Sequence, residues 1–172
     1  MDEDLHAKAV SQRNAFQRLI SIIPGFKGYM DREARRDVDK IQRDFCADKL
    51  QGLKKSIQRV VSDLSASGDI DGLGPIDRLT NKLDAVAQKV RNADRGWTGM
   101  FATIKIDEPT LQKLYEHDLG LVEAATEVAH KVAEMSADQK DALLVKVKET
   151  IELLERVEEF FGRREELLRK GS

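Results

Sequence analysis

Apolar residues recur along this chain at three- and four-residue spacing, the period of a helix that buries one face. The first run carries Leu5, Ala9, Phe16, Leu19, Ile20 and Ile23 and stops at Pro24-Gly25, which predicts a helix over about 2–23. Asp31 can cap a second, much longer helix, striped by Ala34, Val38, Ile41, Phe45, Leu53, Ile57, Val60, Val61 and Leu64 and ending near Ser67-Gly68. The stripe thins at Asp48, Lys49 and Gly52. Gly52 is thus either a tolerated helical glycine, costing roughly 1 kcal/mol relative to Ala, or a kink or close packing point. Pro75 suits the first position of a third helix, whose seam Ile76, Leu79, Leu83, Val86 and Val90 ends near Asp94.

Residues 95–106 lack a helical period, and Phe101 to Ile106 alternates apolar with polar, so this segment reads as irregular or extended. Asp107-Glu108-Pro109 opens a fourth helix, with acidic residues and Pro in its first turn. Its seam is Leu111, Leu114, Asp118, Leu121, Ala125, Val128, Val132 and Met135. Ser136-Ala137-Asp138-Gln139 matches a capping box and predicts the start of a fifth helix, with Leu144, Val147, Ile151, Leu154, Phe161 and Leu168 on its seam. The fold expected is all-α: one domain over 1–172, an elongated antiparallel bundle of about five helices, two of them very long. At about 1.5 Å per residue the second helix spans roughly 50 Å and the third roughly 27 Å. The third therefore climbs about halfway back along the second, and both loops flanking this pair belong to the upper half of the bundle.

Those loops share a pattern. Gly25-Phe26-Lys27-Gly28-Tyr29 and Gly96-Trp97-Thr98-Gly99-Met100-Phe101 each read glycine, aromatic, any residue, glycine, bulky apolar. Three readings compete. The rings plug the end of the core; or Phe26, Tyr29, Trp97, Met100 and Phe101 anchor a protein partner, with Lys27 and Arg95 as a polar rim; or Gly25 to Gly28, leading to a helix start beside Lys27, Arg32, Arg35 and Arg36, receives an anion.

Composition supports long helices, with 35% charged and 41% hydrophobic residues but only 11 Gly and 3 Pro. A net charge of −2 supplies no chain-wide positive field, so no nucleic acid partner is expected. Cys46, the one cysteine, excludes an intramolecular disulfide; Met1 to His6 lacks the pattern of a secretory signal, and a cytoplasmic location is expected. The apolar stretch Leu19 to Ile23 is far short of a membrane span.

Sites for chemistry are few. Glu127 and His130 have the Glu-x-x-His spacing of helical di-metal carboxylate proteins, and Glu3 and His6 repeat it. Asp69 to Gly74 resembles the start of a calcium loop, but its twelfth position is Thr80 rather than Glu. Arg32, Arg36, Lys40 and Arg43 form a basic stripe, interleaved with Asp31, Glu33, Asp37, Asp39 and Asp44 as on a solvated face. Asp118 interrupts an apolar seam, either as a buried polar layer or exposed by a small rotation of its helix, the latter being the expected case. Cys46 has no motif around it and is expected to be a buried structural thiol. No cofactor is expected. The function expected is a non-catalytic interaction or scaffold module with an unknown protein partner, self-association through the fifth helix being a further possibility. The alternatives are a metalloprotein using Glu127 and His130, or peripheral membrane attachment through the first helix.

Overall fold

The computed structural model of the chain describes residues 15–28, 34–92 and 108–170, and among these it is all-helical, with no strand. Helix α1 is seen over 15–22. It is followed by α2 (Ala34–Gly52), α3 (Lys54–Ser67), α4 (Leu73–Asn92), α5 (Glu108–Ala133) and α6 (Lys140–Lys170). The expected extended segment at 95–106 lies outside the described residues.

The long second helix of the sequence reading is two helices. At Leu53 the backbone stays right-handed (φ −70°, ψ −19°), but its N–H bonds to Leu50 O at 3.0 Å, three residues back, and the ladder restarts with Ile57 N on Leu53 O. Gly52 is exposed, and a Cβ built there meets nothing within 4 Å, so no neighbour requires the glycine. Gly52→Ala is expected to stabilise the protein by about 0.5–1 kcal/mol, because alanine loses less backbone entropy in a helix. Gly68 behaves oppositely. It ends α3 at φ 75°, with its own N–H on Ser65 O and that of Asp69 on Leu64 O, the pair of bonds that closes a helix around a left-handed residue. Gly68→Ala is expected to cost about 1 kcal/mol. Thermal melts of the two variants against wild type check the opposite signs; equal shifts would mean that the break at Leu53 is not tolerant.

Around the bundle the order is α2 with α3, then α4, α6 and α5, which returns to α2. Polar pairs give the directions. Arg91 to Asp48 at 2.5 Å and Lys54 to Asp84 at 2.7 Å run α4 antiparallel to α2 and α3. Lys131 to Glu149 at 2.6 Å and the His117 ring against Phe160 at 5.4 Å run α6 antiparallel to α5. Lys140, at the start of α6, meets Asp69 and Asp71 just before α4, while Lys82 and Lys89 clasp Glu158 at 2.8 and 2.7 Å, so α4 and α6 are parallel. Consecutive helices α4 and α5 therefore stand on opposite corners.

Several expectations change in detail. The α4 seam is buried as read, but α6 turns Leu143, Thr150, Leu153 and Val157 inward with Val147, Leu154 and Phe161, leaving Leu144 and Ile151 half-buried. Thr150, 0% exposed, meets its own need by donating its hydroxyl to Lys146 O at 2.6 Å. Ser136 does not cap α6. Its hydroxyl accepts from Asp138 N and donates to the Asp138 carboxylate, and the helix starts at Lys140, because the chain needs those residues to turn over buried Met135. Pro75 sits in the third rather than the first position of α4, still within the turn whose N–H groups have no helical partner.

Candidate functional site

The upper end, where α2 and α5 begin, holds the first glycine-aromatic segment as far as Gly28. Helix α1 lies along α5, with Phe16 against Tyr115 (ring centroids 5.1 Å) and Arg18 paired with Glu123. Leu19 and Ile23 are buried, and Phe26 N bonds back to Ile23 O at 3.2 Å. The chain then folds back over itself, so that Phe26 meets both Phe16 at 6.3 Å and Tyr115 at 6.4 Å.

Phe26 is thus a core ring, 4% exposed, and not an exposed anchor; among the candidate contact residues it is corrected to the packing reading. Its burial follows from the two left-handed glycines around it, which turn the loop inward. Lys27 is exposed, as a rim residue would be. Tyr29, Arg95, Trp97, Met100 and Phe101 lie outside the described residues, as do Arg32, Glu3 and His6. Whether the two glycine-aromatic segments touch therefore also lies outside them.

Beneath the aromatic trio is a polar interior that the sequence reading largely missed. As far as it is described, helix α4 returns to the second half of α2: Arg91, beside its last described residue, holds Asp48 and Gln51, and its carbonyl oxygen receives Arg43 Nη1 at 3.4 Å. In the same region Asp39 (5%), Gln42 (1%) and Asp118 (0%) are buried, and the His117 ring stands edge-on to Phe160. Arg43 donates to the Asp39 carboxylate through Nε at 3.0 Å, with Nη2 at 2.9 Å from the same oxygen. Asp39 and Arg43, assigned from sequence to a solvated face, are an almost enclosed ion pair, so the basic stripe reaches solvent at Lys40 but not at Arg43. Asp118, expected at the surface, is a buried member of the seam. A signal existed: Asp39, Gln42, Cys46 and Leu50 repeat at helical spacing and trace the inward face of α2. Cys46 is buried, as expected.

Groups with displaced ionisation lie elsewhere. The hydrogen bond from Lys140 holds Asp69 below the ordinary aspartate range and, reciprocally, raises Lys140. Glu149 raises Lys131 through its hydrogen bond, and hydrogen bonds from Lys82 and Lys89 lower Glu158. The loop that resembles a calcium site thus has an ammonium between its two aspartates, 2.8 Å from one and 3.4 Å from the other. Asp69 lowered means stability present above the ordinary aspartate value and lost as pH falls through the folded value. Lys140 raised means stability present below the ordinary lysine value and lost as pH rises through the folded one. The difference in melting temperature between wild type and Lys140→Ala is expected to be flat from about pH 5 to 9 and to shrink at both extremes. A difference unchanged at pH about 2 would show that the ion pair is not its source.

Glu127 and His130 are both exposed on α5. Among the described residues no group of three His, Cys, Asp or Glu is arranged to hold a metal ion, and no helix is long and apolar enough to cross a membrane. Comparison with known protein families, curated proteins and solved structures found no match to this chain.

Proposed function

We propose that the protein is a non-catalytic helical-bundle module that binds a protein partner in the cytoplasm. The observation that carries this reading is where the perturbed charges are. Asp69, Lys131, Lys140 and Glu158 have clearly displaced ionisation, and each sits in an ion pair between helices or between a helix and a turn. Displaced ionisation gathered in a cleft is the mark of acid-base chemistry; spread over cross-helix bridges, it braces a scaffold. The proposed contact surface is Lys27 with Tyr29, Arg95, Trp97, Met100 and Phe101, now without Phe26, which belongs to the core.

The test is affinity capture with the full chain beside a Lys27→Glu, Arg95→Glu, Trp97→Ala variant whose melting is unchanged. A partner retained by wild type and lost by the variant supports the reading. Stoichiometric iron, manganese or zinc in the purified protein, lost in His130→Ala, overturns it in favour of a metalloprotein.

A further inference from the structure

The outward face of α6 carries a second pattern, on the side of the bundle away from α4 and α5. Lys148, Glu152, Arg156, Glu159, Arg163 and Glu166 fall on one narrow stripe at three- and four-residue spacing, alternating in sign from first to last, and all are exposed. The stripe lies half a turn from the buried line Leu143, Val147, Thr150, Leu154 and Phe161, so it points straight out of the bundle. Two pairs along it are closed within the helix, Lys148 with Glu152 at 3.9 Å and Arg163 with Glu159. Arg156, at the centre, has no ion-pair partner among the described residues.

The order of charges is self-complementary. Laid antiparallel on a second copy, about a two-fold axis near residues 157–158, Arg156 faces Glu159, Glu152 faces Arg163 and Lys148 faces Glu166, and each pairing occurs twice by symmetry. The parallel arrangement in register, or a shift of the antiparallel one by one step along the stripe, sets like charges opposite each other. Glu155, at the stripe edge, meets the partner copy's Glu159 level and is the one unfavourable neighbour. Exposed Val145 (56%) adds an apolar side chain at one end. We infer that α6 is the surface on which two copies of this chain pair, antiparallel and in this register, held by charge. This rests on the interaction-module reading but uses residues other than those of the glycine-aromatic segments, so the two can fail separately.

Exposed ion pairs hold weakly and are screened within about 10 Å at 0.1 M salt, so the pairing is expected to be salt-sensitive. The experiment compares three full-length chains by sedimentation: wild type, an acid-reversed chain (Glu152→Lys, Glu159→Lys, Glu166→Lys) and a base-reversed chain (Lys148→Glu, Arg156→Glu, Arg163→Glu). Circular dichroism checks that each is folded. Wild type is expected as a dimer at about 20 mM salt and a monomer at about 500 mM. Each reversed chain alone is expected to be monomeric, and their equimolar mixture dimeric and salt-sensitive. A wild-type chain monomeric at low salt and about 100 µM, or a mixture that does not associate, overturns the pairing and leaves the capture experiment standing. If the reversed chains do not fold, the single change Arg156→Glu takes their place, and undiminished dimerisation would then sink the register.

Discussion

Arg43→Ala is expected to cost about 3–5 kcal/mol of folding stability, the scale seen when one partner of a buried ion pair is removed and the other stays behind. Asp39 and Arg43 side chains are only 7% and 18% exposed, so the carboxylate left by the substitution has little water to turn to. The same change removes the guanidinium from the last turn of α4, where it meets Arg91 O. For a chain of this size such a loss lowers the melting temperature by about 10 °C. Arg43→Lys keeps the charge but loses the planar fork, and should fall between. Asp39→Asn with Arg43→Gln removes both charges and keeps hydrogen-bonding capacity, so it should recover most of the loss. Calorimetric melts decide: if Arg43→Ala melts within a degree of wild type, neither the pair with Asp39 nor the bond from Arg43 to Arg91 O holds the bundle together.

Gly28→Ala is the second large effect, expected at about 3 kcal/mol from left-handed backbone strain and overpacking together. At φ 82° any side chain is strained, and the added carbon would lie 2.5 Å from Phe16 Cε2 and 2.8 Å from Tyr115 Oη. Ring atoms at the tips of side chains can often swing aside. Here Phe16 and Tyr115 are packed on each other and on Phe26, so one cannot move without the others. Adding Phe16→Leu should relieve the crowding and leave the backbone strain, recovering about half of the loss. Near-ultraviolet circular dichroism follows the packing of the aromatic rings, Tyr115 among them. An unchanged spectrum and melt in Gly28→Ala would mean that the trio does not close the loop.

Periodicity made most of the helices legible. The seam of α4 is read correctly from Ile76 to Val90, and that of α5 holds from Leu114 to Met135, because a heptad stripe in a bundle must be the buried stripe. Failures came where two stripes compete on one helix. On α2 the Ile41 and Phe45 line looked stronger than Asp39, Gln42, Cys46 and Leu50, yet the latter is the deeper one, since α4 leaves that stretch of interior partly polar. At Gly52 both readings hold in part: the glycine itself is tolerated, and the ladder breaks beside it at Leu53, a residue whose own dihedrals remain helical. Phe26 shows the limit for the candidate site. A glycine-aromatic loop has the same composition whether its ring faces in or out, and only the packing partners Phe16 and Tyr115, distant in sequence, decide it.

The diagonal placement of α4 and α5 has a consequence during synthesis. Helices α2, α3 and α4 can close on each other as soon as they emerge, but the flank of α4 that α6 covers waits until α6 has been made. At ~5–20 residues per second, the stretch from Asn92 to Lys170 takes about 4–16 s. Through that interval the nascent half-bundle lacks the helix that covers this flank in the finished protein, and the flank is an apolar surface open to a chaperone.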